Sequence, residues 1–341
     1  MESKDEKDSS NSTYTGRKLE ELRDPATIDF YEPSNLKELN DGRIIYYTLK
    51  GYKIIVMSID LNGHEDDIMF EIDPGIVESI IQLKNNLVIY GTNQGLIEII
   101  SLKKNSYESK QRIINEENSI IKLVEMANSN FVSLMGTNDI KLYEKKNEQY
   151  ENTVTINYKK ENISWFTSGI ESFIDNQLLA TTPFTFLFVD IQNKKILKEI
   201  KAKEDDKEEK EKNEKEERKY RKEDISIFNE NCLRYDNIII VAGIFQLFLL
   251  IALINQSIIK KVKIVDSNFP CLTLTRFVSN TFVTGSGFGE MVQYKLNKDG
   301  NDLEVISKGA LYVDRVTTNV YSRCGRYIIG EYNGLVILSF Y

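Results

Sequence analysis

Short runs of apolar and β-branched residues, separated by small polar residues, follow one another along most of this chain. The clearest case lies between Asn280 and Leu296. There a β-rich run is followed by the glycine-rich segment 285–289 and then by a run in which apolar and polar residues alternate. Alternation of this kind on both sides of a reversal is typical of two antiparallel strands. The segment is therefore predicted to be a β-hairpin.

Related hairpins recur along the sequence, and they can be aligned on the residue that ends the first strand of each. These residues are Tyr47, Gly91, Gly136, Thr181, Gly243, Gly285 and Gly330. Their spacing is about 40–45 residues, except for a longer interval between Thr181 and Gly243. A repeat of this length has room for four strands, and it indicates the blades of a β-propeller, which bury their faces on one another.

The repeats resemble those of the WD-repeat family. The best-matched segments are GSGFGEMVQYKL from Gly285, YGTNQGLIEIISL from Tyr90 and EYNGLVILSF from Glu331. The resemblance implies an all-β fold, a seven-bladed β-propeller of four-stranded blades. The family's Gly-His and Trp-Asp pairs are absent, and its turn aspartate survives only as Asp139. We therefore expect that no blade forms the family's polar side-chain network.

The ends of the chain predict how the ring closes. The last hairpin ends in a strand at 335–340, so the last blade lacks a fourth strand. A lone strand at 27–31 precedes the first blade, and we expect it to complete the last one, because an open seam would expose two strand edges. The predicted organisation is a disordered tail at 1–26 and one propeller at 27–341.

Composition narrows the class of protein further. The net charge is −8, from 44 basic and 52 acidic residues, which disfavours direct nucleic-acid binding. Cys232, Cys271 and Cys324 form no CxxC pair and are expected to be buried thiols. The first residues contain no apolar run, so we expect no secretory signal and an intracellular protein, cytoplasmic or nuclear.

The segment 201–224 is almost entirely charged and accounts for the long interval between two hairpins. It has two interpretations. One is a solvated, partly helical loop between the fourth and fifth blades, stabilised by pairs of opposite charge. The other is a docking segment that becomes ordered on a partner.

The apolar segment 238–254 approaches the length of a membrane span. It also lies in register with the other hairpins, with Gly243 at the shared position. Strands buried between two neighbouring blades lose their polar alternation. We therefore expect a strand hairpin and no membrane span, with membrane association as the alternative.

Candidate chemistry is sparse. The one histidine, His64, stands beside Glu65, Asp66 and Asp67 in what is predicted to be a turn between two outer strands, and the acidic spacing matches no calcium loop. The segment 285–289 lacks the lysine and helix of a phosphate-binding loop. We expect no catalytic residue, no cofactor and no metal.

Large aromatic residues stand in several of the turns between the second and third strands of the predicted blades. They are Tyr52, Phe184, Phe245, Phe288 and Tyr332. Exposed aromatic side chains anchor interfaces, although these could also fold inward over the channel. The predicted function is a non-enzymatic scaffold or adaptor that binds a protein or peptide, as a subunit of a larger complex. The alternatives are a propeller hydrolase with an unrecognised channel site, or a membrane-associated protein through 238–254.

Overall fold

The computed structural model describes residues 22–29, 33–49, 51–60, 63–72, 75–115, 118–137, 139–157, 169–174, 176–181, 185–201, 227–235, 237–243, 247–252, 256–263, 271–277, 280–286, 290–310, 316–321, 326–331 and 334–340. These residues form β-strands joined by turns, with one short 3₁₀ turn at Ala127–Ser129. The predicted all-β propeller is confirmed.

The described strands form seven four-stranded antiparallel sheets, numbered here in chain order. Sheet one is β2 (Pro33–Glu38), β3 (Ile44–Thr48), β4 (Lys53–Asp60) and β5 (Gly63–Glu71). Sheet two is β6 (Val77–Gln82), β7 (Leu87–Thr92), β8 (Leu96–Leu102) and β9 (Tyr107–Ile114). Sheet three is β10 (Ile120–Glu125), β11 (Phe131–Met135), β12 (Asp139–Lys146) and β13 (Gln149–Asn157). Sheet four is β14 (Gly169–Ile174), β15 (Gln177–Thr181), β16 (Thr185–Asp190) and β17 (Lys195–Lys201).

The remaining sheets follow the same order, except for the last. Sheet five is β18 (Ile227–Tyr235), β19 (Ile238–Gly243), β20 (Leu247–Ala252) and β21 (Ser257–Lys263). Sheet six is β22 (Cys271–Arg276), β23 (Thr281–Ser286), β24 (Glu290–Leu296) and β25 (Leu303–Ala310). Sheet seven is β26 (Val316–Tyr321), β27 (Arg326–Glu331), β28 (Gly334–Phe340) and β1 (Leu22–Asp29).

The first strand of each sheet lies innermost. Each inner strand contacts the inner strand of the following sheet, and β26 contacts β2, so the sheets form a closed ring. We call the strands of a sheet a, b, c and d from the inside outward. The ring has two ends: the b–c turn face, with the turns between strands b and c, and the a–b turn face, with the turns between strands a and b.

The core lies between neighbouring sheets, and the middle strands show how. On β3, Ile45 and Tyr47 pack with side chains of sheet two, whereas Ile44 and Tyr46 pack with side chains of sheet seven. Because successive residues of a strand point to opposite faces, a middle strand serves both neighbours. All five residues of β3 are consequently buried, and the alternation disappears from its sequence.

The apolar segment around Gly243 obeys the same rule. Ile239 and Val241 pack towards sheet four, and Ile240 packs towards sheet six. Strands β19 and β20 pair antiparallel from Ile238↔Ala252 to Ala242↔Phe248. The predicted strand hairpin is therefore confirmed.

Strand β1 supplies the fourth strand of sheet seven, paired with β28 from Leu22↔Phe340 to Asp29↔Gly334. It begins earlier than the predicted strand at 27–31 and includes residues assigned to the tail. The register shifts between Arg23 and Ala26, around Pro25. Proline is tolerated in an edge strand at such an irregularity, so a charged, proline-containing segment can still join the ladder.

One predicted turn is a strand instead. The register of β5 pairs His64 with Ile59 and Asp66 with Met57, so the acidic cluster beside His64 continues the outer ladder of sheet one. A strand is possible here because β5 is an edge strand, whose outer side can carry charge. Segments 1–21 and 202–226 and the three cysteine side chains lie outside the described residues.

Candidate protein-binding face

Of the five aromatic residues predicted to be anchors, Tyr52 lies within the described residues. It lies in the β3–β4 turn on the b–c turn face, and its side chain is 52% exposed. The Tyr52 N–H donates to the Leu49 carbonyl at 3.3 Å, and its own carbonyl accepts from the Ile72 N–H at 2.8 Å. The backbone on both sides is thus tied to the sheet.

The backbone of this turn is unusual as well as fixed. Gly51 has φ 78° and Tyr52 has φ 53°, so both are in the left-handed region. Glycine adopts that region freely, whereas a bulky residue does so at a cost of about 1–2 kcal/mol. Non-glycine residues held in this region concentrate at functional positions. The turn therefore fixes the backbone of Tyr52, from which the half-exposed aromatic side chain projects.

Beneath Tyr52 lies a seam between sheets one and two that contains unsatisfied polar groups. Asn35, 7% exposed, donates from Nδ2 to the Val77 carbonyl at 3.3 Å, but its Oδ1 has no hydrogen-bond partner among the described residues. The hydroxyl of Tyr47, which is fully buried, contacts the Val77 backbone but makes no hydrogen bond of normal geometry to the described residues. Buried polar atoms are nearly always well paired, so two poorly satisfied atoms around one residue, Val77, mark an unusual site.

The electrostatics of this seam follow from burial. Burial raises the pKa of Tyr47 to about 12; Tyr52 and Glu78 add to the shift, and the Val77 backbone opposes it. Burial also raises the pKa of the Glu78 carboxyl. Tyr52 and Glu78 both raise the pKa of Tyr47, so the half-exposed Tyr52 borders a polar and partly desolvated seam.

The seam arises because one position of the repeat carries a different residue in sheet one than in other sheets. Tyr47 occupies the position that is glycine in sheets two and six. A Cβ added to Gly91 would collide with the side chain of Ile120, and one added to Gly285 would lie 2.5 Å from Val316 Cγ1. Ile120 is the first residue of β10, the inner strand that follows sheet two, and Val316 is the first residue of β26, which follows sheet six. Val77 holds the same place in β6, which follows sheet one. A tyrosine at the shared position is therefore the signal by which the sequence could have revealed this seam.

The other described b–c turns are polar. In sheet two, Thr92 Oγ1 accepts from the N–H groups of Gln94 and Leu96, at 3.3 and 3.2 Å. In sheet three, the hydroxyl of Thr137 donates to Asp139 Oδ2 at 3.0 Å. Four predicted anchors lie outside the described residues, so whether they join Tyr52 in one arc stays a prediction; they are Phe184, Phe245, Phe288 and Tyr332.

A polar side-chain network made of other residue types than the family's is present in sheet two. The Glu98 carboxylate, buried on β8, accepts hydrogen bonds from the hydroxyls of Tyr90 and Ser109, and Arg112 Nε lies 3.7 Å from it. Strands b, c and d each contribute. Tyr90, Glu98 and Ser109 are not the family's residue types, so the expectation that no blade forms the family's own network stays a prediction.

Among the described residues, no three histidine, cysteine, aspartate or glutamate side chains are grouped as a metal site would require. None of the helices in that part of the chain is both long and apolar enough to cross a membrane.

Comparison with known proteins identifies the fold. No family model and no curated protein matches the sequence. Solved structures do match. A chain in the crystal structure of the mitotic checkpoint complex matches with TM-score 0.69 and 12% sequence identity. The match covers 94% of this chain and 95% of that one. The structure of U3-55K matches with TM-score 0.71 and 11% identity over 95% of this chain and 100% of that one. The chain therefore has a WD40-like propeller fold.

Proposed function

We propose that this chain is a non-enzymatic scaffold that binds a protein or peptide through its b–c turn face. The proposal includes the overall form of the scaffold, a seven-bladed propeller closed by its N-terminal strand. The continuous contacts between inner strands and the pairing of β1 with β28 support that form.

The observation that carries the proposal is the presentation of Tyr52. An aromatic ring that is half-exposed on a fixed turn has little conformational entropy to lose when a partner covers it. Such side chains are enriched among the residues that dominate binding energies. The unpaired Asn35 Oδ1 and the poorly paired Tyr47 hydroxyl lie beneath it, where a local rearrangement could offer them a partner's donors and acceptors.

Similarity in fold supports a protein as the partner. One matched chain belongs to the structure of a complex, the mitotic checkpoint complex. We propose that this chain is likewise a subunit of an assembly, in the cytoplasm or nucleus. Phe184, Phe245, Phe288 and Tyr332 would extend the surface around Tyr52.

The test compares Tyr52→Ser with Tyr107→Ser in affinity purification from cells of the source organism. Tyr107 is the control, a 40% exposed tyrosine at the beginning of β9 whose ring stacks on Phe70 with centroids 4.1 Å apart. Tyr52→Ser should keep its thermal midpoint within a few degrees, since exposed positions change stability by about ±0.5 kcal/mol. Tyr107→Ser should stay folded but lose the stacking, about 0.5–1.5 kcal/mol. Quantitative mass spectrometry then measures which co-purifying proteins each variant loses.

We expect Tyr52→Ser to lose a defined set of partners that Tyr107→Ser retains. An anchor residue contributes about 2 kcal/mol or more, which corresponds to a loss of about thirtyfold in affinity. If both variants fold and Tyr52→Ser retains every partner of the wild type, the b–c turn face at Tyr52 is not the binding surface.

A further inference from the structure

A pocket of about 220 Å³ opens on the a–b turn face, at the opposite end of the ring from Tyr52. It lies where the inner strands β2, β6 and β10 of sheets one to three end. The chemistry of its floor and that of its rim differ, and together they define what it could bind.

The floor is aliphatic. Leu39, Ile45, Ile80 and Ile81 line it, and all four side chains are buried. A closed cavity of about 150 Å³ lined only by apolar side chains holds a benzene-sized group; this pocket is larger, but it is open and polar residues share its lining. The pocket is therefore large enough for a leucine or phenylalanine side chain supplied from outside.

The rim is charged and is held in place by the neighbouring turns. Glu125 accepts a hydrogen bond from the Lys84 N–H, and Gln82 Oε1 accepts one from the Asn40 N–H at 2.7 Å. Each bond joins the end of one inner strand to the a–b turn of the preceding sheet. The side chains of Glu125 and Gln82 are therefore positioned before any ligand arrives.

Carboxylates outnumber cations on this rim. Glu38 and Glu125 stand beside one ammonium, Lys37. One oxygen of Glu125 is engaged by Lys84, and the other accepts no hydrogen bond from the described residues. A half-buried carboxylate with a vacant acceptor site favours a cationic donor.

We infer that this pocket is a second docking site, which binds a partner segment carrying an apolar side chain next to a lysine or arginine. The apolar side chain would fill the floor formed by Leu39, Ile45, Ile80 and Ile81. The cation would contact Glu125, with Glu38 increasing the attraction. The site is independent of the b–c turn face, so neither proposal requires the other.

Binding in the pocket can be followed by NMR of isoleucine methyl groups, because three of its floor residues are isoleucines. Protein labelled at isoleucine δ1 methyl groups is titrated with three capped tetrapeptides: Gly-Leu-Arg-Gly, Gly-Ala-Arg-Gly, which lacks the apolar group, and Gly-Leu-Gln-Gly, which lacks the cation. The Leu-Arg peptide should shift the Ile45, Ile80 and Ile81 methyl resonances saturably, with a Kd of about 1 mM for so small a ligand. The Ala-Arg and Leu-Gln peptides should each bind at least about fivefold more weakly.

Two variants complete the test. Glu125→Gln keeps an oxygen for the Lys84 N–H and removes only the charge; it should weaken the Leu-Arg peptide about fivefold and leave the Leu-Gln peptide unchanged. Tyr52→Ser, at the other end of the ring, should change neither. The inference is overturned if the Leu-Arg peptide fails to saturate these methyl shifts, if the Ala-Arg peptide binds equally well, or if Glu125→Gln binds like wild type.

Discussion

Tyr47 shows how one side chain alters a repeated contact. Its ring is fully buried where other sheets have glycine, and its hydroxyl has only a contact of poor geometry with the Val77 backbone. A buried polar group left without any partner costs about 1–3 kcal/mol, and a poorly paired one costs part of that. The seam beneath Tyr52 is therefore less stable than it would be with an apolar side chain in this place.

The first prediction is that Tyr47→Phe is neutral or stabilises the protein by about 1 kcal/mol, because it removes only a poorly paired hydroxyl. Tyr90→Phe is the matched control on the same strand of sheet two. It removes a hydrogen bond to buried Glu98 and should destabilise by about 1–3 kcal/mol. Chemical denaturation measures both, and a loss of stability in Tyr47→Phe comparable to that in Tyr90→Phe would show that the Tyr47 hydroxyl is paired.

The raised pKa of Tyr47 also predicts that the stability of the protein depends on pH. The folded pKa of Tyr47 is raised from 10.0 to about 12, so the unfolded chain loses this proton first. The contribution of Tyr47 is thus complete below pH 10 and is lost as the pH rises towards 12. Stability should fall less steeply over that window in Tyr47→Phe than in wild type.

At the scale of strands and hairpins, those elements that are encoded by the local pattern of apolar and polar residues could be predicted from the sequence. The segment 238–252 contains almost no polar residue, yet its register with the other repeats predicted a hairpin, and it forms β19 and β20. By contrast, Leu22, Arg23 and Pro25 have no strand-like alternation. They join β1 because β28 provides a backbone edge, a long-range effect that local sequence does not encode.

Side-chain contacts between strands were harder to predict. Glu98, Tyr90 and Ser109 are separated in sequence, and their network depends on the register of three strands and on the bulge between Ile99 and Ile100. The Asn35 and Tyr47 site likewise needs the contact between two sheets. The position of Tyr52 in a b–c turn could be predicted because a single hairpin determines it.

The contribution of β1 can be tested by comparing two truncations, one beginning at Leu22 and one beginning at residue 30. The second lacks the entire strand that pairs with β28. It should lose stability and self-associate, because the β28 edge becomes free to pair with another chain. Thermal melting and size-exclusion chromatography distinguish the two, and indistinguishable behaviour would show that β1 does not stabilise the ring.

At the scale of the whole molecule, the ring separates two candidate surfaces of different chemistry. The b–c turn face presents the Tyr52 ring above a desolvated polar seam. The a–b turn face carries an aliphatic pocket with an acidic rim. Because adjacent sheets bury their faces on each other, the turns at the two ends are where side chains can vary without disturbing the core.

The most direct test of the proposed scaffold function is hydrogen–deuterium exchange on the complex with a partner that is lost from Tyr52→Ser. The free chain and the complex are compared peptide by peptide. The account predicts that the partner slows exchange in the b–c turns, above all around 49–53, and leaves the a–b turns unchanged. Protection confined to the a–b turns or to the outer strands, with exchange at 49–53 unaltered, would contradict it.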